Sequence, residues 1–581
     1  TSTLFPIAFL VVVVLLYLTL GRAVDVVASV ITILFSVAWT VGAMGAIGMP
    51  LQVLTQITPI IVMIISISDS VHVISHYKTD IAAGASPRAA IVSACRDSAL
   101  PCLLTELTIA GGFLGLLAND ILLIQQFGLI TALGMLLTWL ANFTVLPLSL
   151  RFLKPRAPLA TADERLSRVA GVFQRFLGRV ERAITLRPRR VVTIAVLVVG
   201  ASILFGSRVR KEFYVFDDLR PEHQIAANIR TIDGISGGTV PLAIYVETRD
   251  GKRHPDAMLD PSAIALIDRM GRKLETDFPD QIKNTSSLAK FLRKAHLLLA
   301  GEDLARESPL PSTKRLVAQE LLAIEDPRSL RDVLSFDRAT AAVITMVPDG
   351  GSSRMVPLLR ELRRYLAEEE AATGYRLTLT GILGVADGVY HSLVDGLVGS
   401  LAVSVLLSFA IFCLVLRSWR LAVIALVPNL LPLCITLGFM GLLNIEIKPS
   451  TVVLFSITLV IADDDTIQYM VRLRRKIVEL KKQGVPDPYR EASITTLHET
   501  GLPMFVTACA VSLGFLVLLL SQFVGLANLG LLIGMSLLSA VVADLFLSPL
   551  LIMKLKPNIG AGSTEHASEE KAVVAQGGRI D

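Results

Sequence analysis

Long uncharged apolar stretches recur along this chain, and they limit its fold more than any other feature. Windows of about 19 residues pick out eleven such stretches. They lie near residues 4–20, 25–47, 56–77, 99–118, 122–150, 190–207, 397–416, 421–443, 451–471, 500–520 and 525–553. About 20 apolar residues in a helix cover the roughly 30 Å hydrocarbon core of a bilayer. With 53% apolar and 18% charged residues, the chain is predicted to be a polytopic α-helical membrane protein.

The positions of the basic residues predict which loops face the cytoplasm. Residues 151–190 contain eleven Lys or Arg, and residues 472–490 contain seven. The other short loops, near 48–55, 119–121, 444–450 and 521–524, contain only Lys448. The positive-inside rule therefore places the basic loops in the cytoplasm and residue 1 and 208–393 outside. A formal net charge of +5 is too small and too dispersed to indicate a nucleic-acid partner.

If residue 1 lies outside, an earlier segment must already have crossed the membrane, so we expect the chain to be part of a longer protein. The expected missing part is one span and one domain of the kind found at 208–393, both ahead of Thr1. The five cysteines lie in or beside apolar stretches without C-x-x-C spacing, which favours helix packing over disulfides or a metal site. No cofactor is predicted.

Two parts of the membrane sequence repeat each other. Residues 98–105 (SALPCLLT) and Gly112-Phe-Leu reappear 402 positions later as TGLPMFVT and Gly514-Phe-Leu. Further upstream the offset is 396, and Asp69-Ser-Val matches Asp465-Thr-Ile. Two related halves with the same orientation are a transporter layout. Acidic residues at repeated positions can then face one another across a pseudo-twofold axis.

These patterns divide the chain into six segments. The predicted segments are first-half membrane helices at 1–150, a cytoplasmic linker at 151–189, a membrane helix at 190–207, an outside α/β domain at 208–393, second-half membrane helices at 394–556 and a disordered cytoplasmic tail at 557–581. In the linker, apolar residues between Leu166 and Ile184 form one stripe, which predicts an amphipathic helix along the inner membrane surface. A cytosolic helix packed on loops is the alternative.

The outside domain reads as mixed α/β. Strand-like runs occur at Val240–Glu247, Ala341–Val347 and Leu377–Leu379, and helix-like runs occur at 262–276, 312–324 and 354–370. This order favours a split βαβ module with a cleft.

Acidic residues inside the apolar stretches are the main candidates for function. They are Asp69, Asp463, Asp464, Asp465 and Glu106. Each costs about 2.5 to 3.5 kcal/mol at the centre of a membrane helix, so function is the default explanation. Buried carboxyls beside like charges bind protons near neutral pH, which predicts a proton site. Asp465 ranks first because it repeats Asp69, followed by Asp464 and then Asp463; the alternative is that some of the triplet line a water-filled crevice.

His72 and His76 share a helix face with Asp69. His72 is predicted to be a relay partner of Asp69, and simple packing is the alternative. The spacing also suits a metal enzyme, but a solvated His76 at the helix end favours no metal. Ser68 and His72 lack the G-x-S-x-G turn of a hydrolase.

Prolines and threonines recur in the next span of each half. Pro101 with Thr105 and Pro503 with Thr507 are predicted helix kinks, where the hydroxyl satisfies carbonyls freed by the proline. Asn142 and Asp544, also 402 residues apart, are more readily explained as helix-packing residues than as transport residues.

Taken together, the sequence resembles the resistance-nodulation-division (RND) superfamily, specifically its MMPL-type branch of hydrophobe and amphiphile exporters. The resemblance is carried by Asp69-Ser-Val-His-Val-Ile-Ser-His-Tyr, by Asp464-Asp-Thr-Ile-Gln-Tyr and by the repeated Pro/Thr and Gly-Phe-Leu motifs. It implies an RND-type pseudo-twofold repeat with family spans 2–12 and a porter-like periplasmic domain. It further implies that Asp69 and Asp464/Asp465 are the proton relay.

The function that follows is proton-driven export of a hopanoid, sterol or similar lipid from a bacterial inner membrane through the periplasmic domain. A periplasmic lipid-binding protein is an expected type of partner, and self-association is left open. The alternatives are a Patched- or Dispatched-like sterol-sensing or sodium-coupled protein and a multidrug efflux pump. The tenth family span has no lysine of the multidrug type. The Asp-Tyr pairs of MMPL proteins appear here as Asp69-Ser70 and Asp465-Thr466.

Overall fold

The computed structural model describes most of the chain. The described residues are 4–52, 54–152, 160–212, 214, 219–250, 252–300, 310–322 and 327–558. Nearly all of the tail predicted to be disordered lies outside them. The chain divides into two compact units. We call Lys211–Leu393 with Gln522–Val524 the α/β domain, and the rest the membrane unit.

The first half of the membrane unit consists of five helices. They are α1 (Leu4–Leu20), α2 (Ala23–Ala46), α3 (Thr58–Ala82), α4 (Pro87–Leu114) and α5 (Leu122–Phe152). Local sequence fixes where they begin: Ser86 accepts a hydrogen bond from the Ala89 N–H at the start of α4, and Pro87 follows at the first helical position. Two further helices, α6 (Ala160–Leu186) and α7 (Pro188–Gly206), precede the α/β domain.

The α/β domain contains a four-stranded antiparallel sheet covered by helices. The helices are α8 (Gln224–Ser236), α9 (Pro261–Asp277), α10 (Leu288–Ala300), α11 (Lys314–Leu322), α12 (Pro327–Val333) and α13 (Ser352–Ala372). The strands are β1 (Val240–Thr248), β2 (Thr285–Ser287), β3 (Ala341–Val347) and β4 (Tyr375–Gly381).

The sheet order is β2-β3-β1-β4, so β3 lies between the two strands that α9 connects. This confirms the predicted split βαβ arrangement. Alternate residues of β1, from Val240 to Val246, are buried in the core of the domain. The sequence analysis missed β2, because Thr285-Ser-Ser has no apolar alternation.

The second half of the membrane unit again consists of five helices. They are α14 (Ile382–Leu416), α15 (Trp419–Leu443), α16 (Pro449–Lys482), α17 (Pro488–Leu516) and α18 (Val524–Leu555). The residues of α14 before Val394 belong to the α/β domain. The helix α16 is four residues longer at its end than the repeat of α3 requires, which accounts for most of the change in offset from 396 to 402.

All eleven predicted spans coincide with helices. In the described part of the chain, nine helical segments are long and apolar enough to cross a membrane. The other two predicted spans are α1, which has only 17 residues, and α16, which carries three consecutive aspartates. Those two crossings stay predictions, while the polytopic helical fold is confirmed.

Two helix contacts repeat across the halves and relate them by a pseudo-twofold axis. A Cβ added at Gly112 of α4 would lie 1.8 Å from Cγ2 of Val460 on α16. The repeated contact joins Gly514 of α17 to Ile64 of α3, where the added Cβ would lie 2.9 Å from Cγ1. Only glycine allows two helices to pack this closely. The glycine-bearing helix of each half, α4 or α17, therefore packs against the aspartate-bearing helix of the other half, α16 or α3.

The described part of α6 is amphipathic, as predicted. Leu177, Val180 and Ile184 are buried in a cluster with residues of α17 and α18, while Arg175 is exposed. The rings of Phe173 and Phe505 lie 4.9 Å apart. The side chains of 160–170 are outside the described set. The described stripe is therefore covered by membrane helices, and its location at the membrane surface stays a prediction.

Candidate functional site

The predicted acidic residues lie in the interior of the membrane unit. Every residue of α3 from Thr58 to Ser70 is buried, and so is every residue of α16 from Ser450 to Asp463. Asp69 is 6% exposed, Glu106 1% and Asp463 0%. The surrounding helices thus remove these carboxyls from both lipid and bulk water.

In the first half, the carboxyl groups of Asp69 and Glu106 lie close enough to act on each other, and both oxygens of Glu106 are buried without a donor group from the described residues beside them. Cys102, one turn before Glu106 on α4, also contacts Asp69. Two buried carboxylates side by side repel each other, so the pair is stable only when one of the two carboxyls carries a proton. The Asp69–Glu106 pair is therefore arranged to hold a proton.

Asp464 links the acidic groups of the two halves. Its carboxyl acts electrostatically on both Asp69 and Asp465. Thr105 of α4 lies beside it, and Gln468 Nε2 donates to its Oδ1 over 3.0 Å. Sequence symmetry predicted that Asp69 and Asp465 would face each other; the structure instead places Asp464 where it interacts with both.

Asp465 borders two small cavities. The first has a volume of about 30 Å³ and is also lined by Ser68, Asp464, Thr507 and Asp544. The second, about 20 Å³, is lined by His72, Gln468 and Arg472 in addition to Asp465 and Thr507. Each has room for a water molecule. Thr507 Oγ1 lies 3.3 Å from Asp465 Oδ1, so these two residues separate the cavities.

The two histidines are placed differently. His72 is partly buried and lines the second cavity, whereas His76 is exposed. Within the described ranges, no three His, Cys, Asp or Glu side chains are placed to hold a metal ion. The relay role of His72 stays a prediction.

The threonines after the two prolines do not bond to the carbonyls predicted for them. Proline frees the carbonyl four residues earlier, which is that of Asp97 for Pro101 in α4. Thr105 Oγ1 instead donates to the carbonyl of Cys102 over 2.9 Å. Thr507 Oγ1 lies 2.9 Å from the carbonyl of Met504. A threonine hydroxyl in a helix reaches only the carbonyls three or four residues before it, which here are those of the proline itself and of the residue that follows it.

The sequence analysis missed a buried polar group in the second half. Asn429 of α15, Thr466 of α16 and Ser548 of α18 hydrogen-bond to one another or to Asp463 and Asp544. The repeat contained a signal for it. Ser70 and Asn142 occupy the matching positions in the first half, and Ser70 Oγ donates to Asn142 Oδ1 over 2.9 Å.

Comparison with known proteins gives matches of three kinds. The family model described as MMPL family matches residues 1–191 and 255–566. The hopanoid transporter HpnN of Burkholderia multivorans is 26% identical over 274 residues, which cover 44% of this chain and 30% of that protein. A membrane protein of Methanocaldococcus jannaschii is 24% identical over 335 residues, covering 58% of this chain and 70% of that protein.

Among solved structures, the hedgehog release protein Disp from the water bear Hypsibius dujardini has a similar fold. The TM-score is 0.62 at 14% identity, and the match covers 94% of this chain and 69% of that one. The likeness concerns the fold alone. The match to HpnN spans less than a third of that relative's length.

Proposed function

The chain belongs to the MMPL family, and from that premise we propose that it is a proton-driven transporter of a hydrophobic or amphiphilic lipid. The proposal places it in a bacterial inner membrane with the α/β domain in the periplasm. The observation that carries it is that the carboxyl groups of Asp69 and Glu106 are buried side by side, so that one of them must carry a proton.

The α/β domain provides a contrast that supports the role of protons. Burial raises the pKa of Asp268, but hydrogen bonds from Arg293 and Arg272 outweigh it, and the pKa lies below its ordinary value. Arg293 Nη2 and Arg272 Nη2 lie 2.7 and 2.6 Å from Asp268 Oδ2. The two arginines thus keep Asp268 ionised. The acids between α3, α4 and α16 instead contact other acids, amides and hydroxyls, which suits reversible neutralisation by protons.

Protonation here would bias the arrangement of the two halves. The cluster combines Asp69 and Glu106 from the first half with Asp464 from the second, so each added proton lowers the repulsion across the pseudo-twofold axis. A ligand that changes the energies of two arrangements differently shifts their populations. Alternating movement of one repeat against the other is the general scheme of transporters built this way.

The proposed cargo class comes from the relatives. A hopanoid transporter is among the matched proteins, so a hopanoid or another rigid polycyclic lipid is the first candidate. A periplasmic lipid-binding protein would be its acceptor. Mass spectrometry of lipids that copurify with the protein identifies the cargo independently of any transport assay.

The test uses purified protein in liposomes that contain a radiolabelled hopanoid, with cyclodextrin outside as acceptor. We expect an imposed proton gradient to drive hopanoid release, and Asp69→Asn and Asp465→Asn to reduce release by about 100-fold. Asp97→Asn on α4 is the matched control, because Asp97 is exposed. Normal release by both Asp69→Asn and Asp465→Asn would rule out the proposed coupling.

A second candidate is sodium coupling in a Dispatched-like protein. The similarity of fold to Disp favours it, and carboxylate oxygens are also ligands for hard cations. The same liposomes separate the two candidates. Release that requires a sodium gradient and ignores a proton gradient would select the second one.

A further inference from the structure

Two buried acids of the second half are joined by hydrogen bonds that pass through an amide and a hydroxyl. Asn429 Nδ2 donates to Asp463 Oδ1 over 2.6 Å. Thr466 Oγ1 lies 2.8 Å from Asn429 Oδ1 and 2.7 Å from Asp544 Oδ2. We call Asn429 and Thr466 the Asn–Thr bridge. All four side chains are at most 1% exposed, so each polar atom must find its partner inside the protein.

A count of hydrogens fixes the charge of this group. A threonine hydroxyl has one hydrogen, and Asn429 Oδ1, Asp544 Oδ2 and the Ala462 carbonyl, which lies 3.2 Å away, all compete for it. The amide nitrogen of Asn429 is directed at Asp463, so Asn429 Oδ1 can only accept, and Thr466 donates to it over 2.8 Å rather than to the more distant carbonyl. Thr466 can then only accept from Asp544 Oδ2. Asp544 must therefore be the donor, which means that its carboxyl carries a proton. Its other oxygen, Oδ1, accepts from Ser548 Oγ over 2.9 Å.

The opposite amide orientation leads to the same proton count. If Asn429 is turned over, its oxygen faces Asp463 and its nitrogen donates to Thr466. Thr466 then donates to Asp544, and Asp463 must carry the proton instead. Three hydrogen bonds between two carboxyls through the bridge thus require one proton, at one end or the other.

The first half has no such group. The positions that match Asp463 and Asn429 by the 396 offset are Ile67 and Ile33. Asn142 matches Asp544, and its amide is a fixed neutral counterpart of a protonated carboxyl. Asn142 accepts from Ser70 and donates from Nδ2 to the carbonyl of Thr138 over 3.2 Å. The same place in the scaffold is therefore permanently neutral in one half and neutral only when protonated in the other.

We propose that Asp463 and Asp544 form a second proton-binding site, which holds one proton at a carboxyl joined to the other through Asn429 and Thr466. Asp544 also lines the 30 Å³ cavity together with Asp464 and Asp465. This cavity has room for a water molecule, which would connect the site to the acids between the halves, so we expect protons to exchange at Asp544. Asp463, the acid at the other end of the Asn–Thr bridge, does not line this cavity.

The groups that face the two acids come from every neighbouring helix. On α16, Asp465 and Tyr469 face Asp544, and Asp464 faces Asp463. Ser408 of α14 adjoins Asp463, and Thr507 of α17 lines the cavity. All of these are acidic or neutral. They disfavour a second negative charge and thereby favour retention of the proton.

Infrared spectroscopy of the detergent-purified protein near neutral pH tests the site directly. Protonated carboxyls absorb separately from carboxylates, and their band shifts in deuterated water. We expect either Asp544→Asn or Asp463→Asn to remove the intensity of one group from this band, according to which end holds the proton. Full wild-type intensity in both variants would overturn the proposal.

A second pair of variants guards against misfolding at the two acids. Thr466→Val breaks the hydrogen-bonded connection between the two acids in either amide orientation, so the acid band should move in frequency. Ser70→Ala makes the matching change in the first half, where Asn142 cannot ionise, and should leave the band in place. A band that Thr466→Val does not move would contradict the proposed bridge.

The proposal deepens the proposed function but is tested separately, since the spectra need neither cargo nor a gradient. If the aspartate variants lose band intensity but transport by the wild-type protein does not respond to a proton gradient, the proposed coupling is wrong and the proton-binding site is supported. If wild-type transport is driven by protons but the band is unaltered in both aspartate variants, the coupling is supported and the second proton-binding site is wrong.

Discussion

The two halves of the membrane unit have the same helices in the same order, but they support their central aspartates with acids from different helices. In the first half, Asp69 contacts Glu106 on α4. The position that matches Glu106 in the second half is Ala508. Asp465 instead has Thr507 beside it on α17 and acts electrostatically with Asp544 of α18.

The difference shows what duplication preserves and what it leaves free. The contacts that need small residues, Gly112 with Val460 and Gly514 with Ile64, are kept because they set the distance between the halves. The acidic residues that accompany the central aspartates, in contrast, lie on different helices in the two halves. Each half nevertheless has two carboxyls that need a proton. They lie side by side in the first half and are joined through the Asn–Thr bridge in the second. The chain thus keeps the proton count of the halves similar by different means.

The largest expected effect breaks the first-half pair. Glu106→Gln should lower proton-driven hopanoid release by about 100-fold, the usual size of a lost proton-transfer group. Because Asp69 and Glu106 share one proton, the double variant Asp69→Asn/Glu106→Gln should be no worse than either single variant. The liposome release assay measures all three. Losses that multiply in the double variant would show that the two acids act independently.

The next effect comes from making the first half resemble the second. Ile67→Asp places an acid at the position that matches Asp463, but Ile33 stands where Asn429 would bond to it. We expect a loss of about 3 kcal/mol in the free energy of unfolding, measured by thermal unfolding in detergent. Adding Ile33→Asn should restore part of this loss. An unchanged stability of Ile67→Asp would contradict the account of the bridge.

A smaller effect tests the scaffold that the halves share. Gly112→Ala directs a methyl group into Val460, and it should destabilise the protein by about 1–3 kcal/mol. Gly514→Ala should cost less, because its added Cβ lies 2.9 rather than 1.8 Å from the nearest atom. Gly42→Ala is the control, since nothing lies within 4 Å of its added Cβ. Val460→Ala should rescue Gly112→Ala, and failure of that rescue would place the clash elsewhere.

Much of the fold could be predicted from the sequence because each feature has a strong local signal. Apolar runs give the spans, and alternation gives β1 and β3. Matching residues such as Asp69 and Asp465 give the repeat. The three-residue strand β2 has no such signal, since its pairing to β3 is set by the rest of the sheet.

The site was predictable by residue type but not by partner. Charge in an apolar run singled out Asp69, Glu106 and the triplet at 463–465. Which acid contacts which depends on helix rotation and packing, so sequence symmetry alone paired Asp69 with Asp465 and overlooked Asp464 as the residue that interacts with both. Asn429 carries no charge and lies on another helix, so nothing local to it identified the bridge.

The most direct test of the central claim is a count of protons moved during hopanoid release. Liposomes with a pH-sensitive dye inside and labelled hopanoid in the membrane report both quantities at once. The account predicts that protons enter as hopanoid leaves, in a fixed ratio that sodium does not alter, and that Asp69→Asn lowers both by about 100-fold. Hopanoid release at the wild-type rate without proton entry would contradict it.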